Sequence, residues 1–227
     1  FSSLDLFHRH YGDTHNTDYS YLNYRLGAVL EDKPAGRQYW LNLGFTPILR
    51  DGKLDSYRNS IHISMSQYLT HGYSFSLSGM LSTYINEELA DYNNGRLLLG
   101  ATLNRQTETQ LQQLQVDFGG EEPEKGSGKE FTRNFARLSY RLSQAWNTTH
   151  QSTFALFGQH SQYQGVSSIF RKRRIDNLFI VELSHNWALS NEFSVITEFS
   201  HTENWSNLDI YEYDRNQVTL GFRYQFL

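Results

Sequence analysis

The sequence predicts an all-β protein: a closed antiparallel transmembrane β-barrel of about twelve strands, with residues 1–227 forming a single domain. Three observations predict it. The last residues, 217–227, alternate without a break, with Val218, Leu220, Phe222, Tyr224 and Phe226 on one face and Gln217, Thr219, Arg223 and Gln225 on the other. That run is about as long as a strand needs to cross a bilayer. Alternation of the same kind recurs about every nineteen residues along the chain. Short and long connections between these segments take turns, as they do when every second link lies on the same side of a membrane.

Taken in order, the alternating segments lie near 2–11, 18–30, 37–48, 57–69, 72–85, 95–105, 109–118, 131–142, 152–163, 174–187, 192–203 and 213–226. The first turns Asp5 and Arg9 inward. In the second, Leu22, Tyr24, Leu26, Ala28 and Leu30 face out against Asn23, Arg25 and Gly27, and in the third Tyr39, Leu41, Leu43 and Phe45 face out against Asn42, Gly44 and Thr46. The fourth carries His62 and Ser64 inward. The fifth sets Phe75, Leu77, Gly79 and Leu81 against Ser74, Ser76 and Ser78, and the sixth sets Leu97, Leu99, Ala101 and Leu103 against Arg96, Gly100, Thr102 and Asn104. Asp117 is the inward acid of the seventh, and Arg133, Arg137 and Arg141 line the inner face of the eighth. The phase of the ninth is ambiguous over 153–159. Asp176 and Glu182 of the tenth, Glu198 of the eleventh and Arg223 of the twelfth complete the interior.

The second, fourth, sixth, eighth and tenth links (31–36, 70–71, 106–108, 143–151 and 188–191) are short. The third, fifth, seventh, ninth and eleventh (49–56, 86–94, 119–130, 164–173 and 203–211) are longer or more polar. Short links belong on the periplasmic side of an outer-membrane barrel, which puts both termini there too. Trp146 and Trp187 stand beside two short links, where an interfacial aromatic belt would hold them. A soluble β-sandwich is the competing fold. It would have to turn the apolar faces onto a second sheet and leave the alternation of link lengths to coincidence.

Composition agrees with the barrel. The chain has 15 Tyr, 15 Phe, 16 Gly, three Pro and no Cys, which suits many strands with aromatic girdles and an oxidising compartment. Mean hydropathy of −0.60 and the lack of any long uncharged apolar run exclude a transmembrane helix but not a barrel, whose lipid-facing residues alternate with polar ones. A net charge of −4 gives no support to nucleic-acid binding. Residues 1–11 already read as a strand, so the expectation is a mature chain or a piece of a longer one.

Chemistry, if present, belongs to the interior. The inward list holds seven arginines (Arg9, Arg25, Arg96, Arg133, Arg137, Arg141 and Arg223) against five acids (Asp5, Asp117, Asp176, Glu182 and Glu198), a balance that favours anions in an open pore. Arg133, Arg137 and Arg141 repeat every fourth residue, about 13 Å apart at strand rise. Such a ladder can pass an anion from one guanidinium to the next. The same charges can instead interlock into ion pairs that brace the wall.

Nothing points to a cofactor, and no metal site is expected: His8 and His10 share a face but have no third ligand. The order His62-Ile63-Ser64 resembles the His-x-Ser pair of outer-membrane phospholipases, without the Asn-Gly that follows it there and facing inward, so no enzyme is expected. Two charged runs, Glu121-Glu122-Pro123-Glu124-Lys125 and Arg171-Lys172-Arg173-Arg174, read as outer loops, the basic one suited to lipopolysaccharide phosphates.

Thr219-x-Gly221-x-x-Tyr224-x-Phe226 resembles the signal that ends Gram-negative outer-membrane β-barrel proteins. The resemblance implies the outer membrane as location and the barrel-assembly machinery, which reads that signal, as a partner. Residues 206–221 (SNLDIYEYDRNQVTLG) resemble the final loop and strand of barrels linked to tetratricopeptide repeats, including surface lipoprotein assembly modifiers, exopolysaccharide-export barrels and putative porins. That likeness implies a periplasmic repeat domain or a lipoprotein as partner, and export as the alternative function. In architecture alone, the chain resembles small monomeric porins for acidic oligosaccharides. The expected function is therefore a channel for small or linear anionic solutes in contact with outer-membrane lipid and lipopolysaccharide.

Overall fold

The computed structural model describes residues 2–9, 19–86, 93–123 and 131–224. His10, most of the 86–94 link, the acidic loop beyond Pro123 and Phe226 lie outside the described residues, as do the side chains of Asp5, His8 and Arg9. Twelve strands form one sheet: β1 (Ser2–Arg9), β2 (Tyr19–Asp32), β3 (Arg37–Arg50), β4 (Lys53–Tyr68), β5 (Tyr73–Asn86), β6 (Asn94–Gln106), β7 (Gln110–Pro123), β8 (Arg133–Ala145), β9 (His150–Val166), β10 (Arg173–Ala188), β11 (Phe193–Ser206) and β12 (Tyr213–Tyr224). Each pairs antiparallel with the next in a plain meander. A 3₁₀ turn, Asp209–Tyr211, lies between β11 and β12. No helix among the described residues is long and apolar enough to cross a membrane.

Registers place apolar residues of neighbouring strands side by side. Leu43 faces Leu26 and Ile61, Leu99 faces Gly79 and Phe118, and Val218 faces Phe199. These rows stay open: Leu99 is 55% exposed, Phe118 60% and Val218 78%. The crowded face is the polar one. Ser56, Asp117, Phe135, Ser161, Asp176, Thr202 and Asn204 are all buried, and all lie on it. A sheet that spreads its apolar side chains and crowds its polar ones curves around the polar face, the inverse of a soluble sandwich.

Two expectations need correction. The closed barrel is not seen: among the described residues no ladder joins β12 to β1, and the side chains of β12 are exposed almost throughout, as on a sheet edge. Alternation dictates which face each strand shows to its neighbour, whereas closure depends on the stagger and tilt accumulated over all the strands. The third link is not long either. It is a hairpin at Asp51-Gly52, both with positive φ (50° and 76°), the backbone that a two-residue type I′ turn demands and that Asp-Gly supplies at least cost. β3 and β4 therefore run on to Arg50 and Lys53. The even links hold as expected, each three or four residues between strands.

The runs read as outer loops are also partly strand. Glu121 and Glu122 belong to β7, and Arg173 and Arg174 to β10. In β7 the period-2 phase carries straight through Glu121 and Glu122, whereas the β9–β10 ladder shifts register between Arg173 and Ile175.

Candidate pore lining

β8 sets the geometry of the polar face. Its odd positions point inward, so Arg133, Phe135, Arg137, Ser139 and Arg141 form one column, and the ladder with β7 puts Glu121 opposite Arg133, Gly119 opposite Phe135 and Asp117 opposite Arg137. Gly119 is required by that packing: a Cβ there would run into the Phe135 ring. The bare backbone lets Phe135 lie flat against the wall at 4% exposure.

Three guanidinium groups gather on this ring, Arg137 at 4.3 Å, Arg96 at 5.3 Å and Arg133 at 5.6 Å from its centroid. Each contact of this kind is worth about 1 kcal/mol when partly desolvated. Glu121 supplies the counter-charge. Arg133 Nε donates to its carboxylate at 2.7 Å, while Arg96 Nε lies 3.4 Å away, off the axis of a hydrogen bond, so that contact is coulombic only. Arg133 also donates to the Tyr163 hydroxyl at 3.3 Å. Beyond Tyr163 comes Arg174, paired through Nε and a terminal nitrogen with the two carboxylate oxygens of Asp176 and stacked 4.7 Å from the Tyr163 centroid and 3.4 Å from that of Tyr211 in the 3₁₀ turn. Asp176 accepts from Ser206, and Asn204 donates to the Tyr211 carbonyl. A belt of charge and aromatic rings thus runs from β6 to the 3₁₀ turn at the end of the sheet where the longer links lie.

The belt divides the predicted ladder. Arg133 and Arg96 are bound into it. Arg137 turns from Asp117 toward Gln159, which accepts from its Nε at 2.5 Å, and Asp117 takes both its hydrogen bonds from Gln115. Arg141 stands apart. It shares a cavity of about 470 Å³ with Glu182, Glu198 and Arg215, across the small residue Ala155, and among the described residues no ion pair engages any of these four. Elsewhere on the polar face Arg25 is exposed on β2, its guanidinium on the Asn23 carboxamide oxygen at 2.8 Å when that group turns its nitrogen to Thr46. Arg223 is exposed opposite Ser194.

In the terminal motif, Thr219 faces the Arg141 cavity and Gly221 lies opposite Ile196. The Tyr224 hydroxyl donates to Glu192 at 3.1 Å. His62 and Ser64 lie on the polar face with no hydrogen bond between them. No cluster of three metal-ligating side chains occurs among the described residues.

Sequence reasoning missed Glu121, Phe135, Arg174 and Arg215. For Glu121 the signal was present, because Asp117, Gly119 and Glu121 continue one phase. For Phe135 it was not, since a lone aromatic on a polar face reads as an error of phase until its three cationic neighbours are in place. Glu121→Gln is expected to leave two half-desolvated guanidiniums without a counter-charge and to destabilise the refolded protein by about 2 kcal/mol, read from the urea midpoint of tryptophan fluorescence in micelles.

No protein-family model matches the chain, and no curated protein matches it. Solved structures do. A chain solved in work on the in-meso crystallization of membrane proteins aligns over 98% of this chain and 81% of its own length, with 10% identity and a TM-score of 0.50. The NanC porin aligns over 99% of both chains at 10% identity with a TM-score of 0.45. The alcaligin outer-membrane receptor FauA of Bordetella pertussis aligns over the whole of this chain and 41% of its own length, at 14% identity and a TM-score of 0.45. At such identities a likeness speaks to fold alone, and the first of these carries it: the meandering antiparallel sheet is one that a membrane protein also adopts.

Proposed function

We propose that the chain is a porin-like channel of a Gram-negative outer membrane, closed into a barrel with both termini periplasmic, that carries small or linear anionic solutes such as acidic oligosaccharides. The carrying observation is the state of Arg137 and Arg141. Both project from the polar face without a carboxylate bound to them, while the acids nearest in register, Asp117 and Glu182, are held by Gln115 or left open. Guanidinium groups that hold no carboxylate in a wet interior attract anions and bind carboxylates in a bidentate fork. The open apolar face supports contact with lipid, and by the resemblance of its last strand the chain is delivered there by the barrel-assembly machinery.

Single-channel recording in planar bilayers under a salt gradient tests the reading. Stable conductance with anion preference is expected, weakened in Arg137→Ala and Arg141→Ala. A folded protein that passes no current would overturn it in favour of the second reading, an export or anchor barrel that works with a periplasmic repeat domain or a lipoprotein. That alternative draws on the belt from β6 to the 3₁₀ turn, which fills the polar face at one end.

A further inference from the structure

On the apolar face, beside the short links that follow β8 and β10, lies a connected polar chain. Ser152 of β9 lies directly opposite His185 of β10 in the ladder, and His150 opposite Trp187. Ser152 Oγ is 2.9 Å from His185 Nδ1, and His185 Nε2 is 3.1 Å from His150 Nδ1. The Trp146 indole donates to Ser152 Oγ at 2.9 Å. His150 stacks on Trp187, with ring centroids 5.6 Å apart and planes at 16°.

The donors order this chain. An indole N–H can only give, so Ser152 Oγ accepts from Trp146 and gives its own proton to His185 Nδ1; His185 then carries its proton on Nε2 and gives it to His150 Nδ1. Hydroxyl, imidazole and second imidazole are thereby aligned as nucleophile, base and orienting group. A cavity of about 460 Å³ opens beside Ser152 and His185, with Leu142, Phe154, Leu183, Phe199 and Val218 of the same face in its lining and Thr153, Ser184 and Glu198 reaching it from the polar face. A girdle of interfacial aromatics would account for Trp146 and Trp187. It gives no reason for a serine hydroxyl aimed at an imidazole next to an apolar cavity.

We propose that Ser152, His185 and His150 form an acyl-transfer site on the lipid-facing side, acting on the carboxylic ester of a lipid whose acyl chain lies in the cavity. Ser152 Oγ attacks the ester carbonyl carbon while its proton passes to His185 Nδ1. The His185 cation is held in orientation by its Nε2–H bond to His150. Gln144, opposite Ser152 across the β8–β9 ladder, presents a carboxamide N–H, now on the Ala145 carbonyl, that is available to the developing oxyanion. Collapse breaks the bond to the alcohol, which leaves with the proton from His185. Water then attacks the acyl-serine, returns a proton through His185, and releases the fatty acid with Ser152 restored. The substrate class rests on the membrane reading of the apolar face and not on an open pore.

The test uses the refolded full chain in detergent with p-nitrophenyl butyrate and a long-chain fluorophosphonate, and in phosphatidylethanolamine vesicles with release of free fatty acid as readout. Heat-modifiable gel mobility checks that each variant is folded. Expected are one phosphonyl adduct mapped to Ser152, ester hydrolysis that falls about a thousandfold in Ser152→Ala and His185→Gln, and slower labelling at unchanged KM in His150→Gln. Ser64→Ala, on the polar face, is expected to behave as the parent. A folded parent that gives no adduct at Ser152, or a Ser152→Ala variant that hydrolyses the ester as fast, would overturn the proposal. An adduct and butyrate turnover without fatty-acid release from vesicles would overturn the lipid substrate, and with it the membrane reading of that face.

Discussion

Replacing Arg137 and Arg141 together by glutamate is expected to invert the ion preference of the channel, so that the zero-current potential under a salt gradient changes sign. Each replacement swaps a cation for an anion on the concave wall. A unit charge about 4 Å from a passing ion in water is worth about 1 kcal/mol, a factor of about five in partitioning, and the double variant changes that term twice at each of two positions. The effect is expected to fade with ionic strength, since screening shortens to about 10 Å at 0.1 M and about 3 Å at 1 M. Glutamate at position 133 would behave differently. Arg133 is already held by Glu121, so its reversal sets two carboxylates together and is expected to weaken folding before it alters selectivity. A double variant that keeps an unchanged anion preference would show that the permeating ion never meets this column.

Phe135→Ala is expected to produce the largest loss of stability of any single change in the polar face, about 3 kcal/mol. The ring is almost wholly buried, lies on the backbone of Gly119, and separates the guanidiniums of Arg96, Arg133 and Arg137. Truncation removes the packing and the quadrupole that offsets the repulsion among three cations of which only Arg133 is hydrogen-bonded to a carboxylate. The urea midpoint of the refolded variant checks the loss. Phe135→Leu separates the two contributions, because it keeps most of the apolar volume and none of the ring. If both variants lose the same stability, the ring matters for its π face; if leucine restores most of it, packing dominates.

Much of the fold was legible because alternation is a local property. Leu97, Leu99, Ala101 and Leu103 had to share a face once the segment was a strand, and so did Arg133, Arg137 and Arg141 on β8. The even links could be read from turn residues. The Asp51-Gly52 dipeptide signals a tight hairpin, but its polar flanks read as loop until β3 and β4 are seen to run on to it. Phase alone also put Arg96, Arg133, Glu182 and Glu198 on the concave side, where they are.

Pairing state was not legible. Arg133 and Arg141 are equivalent in phase and spacing, yet one is spent on Glu121 and Tyr163 while the other faces an open cavity with Glu182 and Glu198. Which of them finds a partner depends on the residue that the neighbouring strand puts opposite, and so on registers summed across β7, β8 and β9. Ser152 and His185 illustrate the same limit: 33 residues apart in sequence, they meet only because β9 and β10 pair in one register, and a slip of one residue would turn one of them to the other face. By itself the sequence determined twelve strands, their two faces and the polar interior, since these follow from period-2 alternation within each segment. Tertiary structure alone decided which charges are neutralised, which stay free, and whether the sheet's two edges meet, because those are properties of strand register, stagger and curvature that no single segment contains.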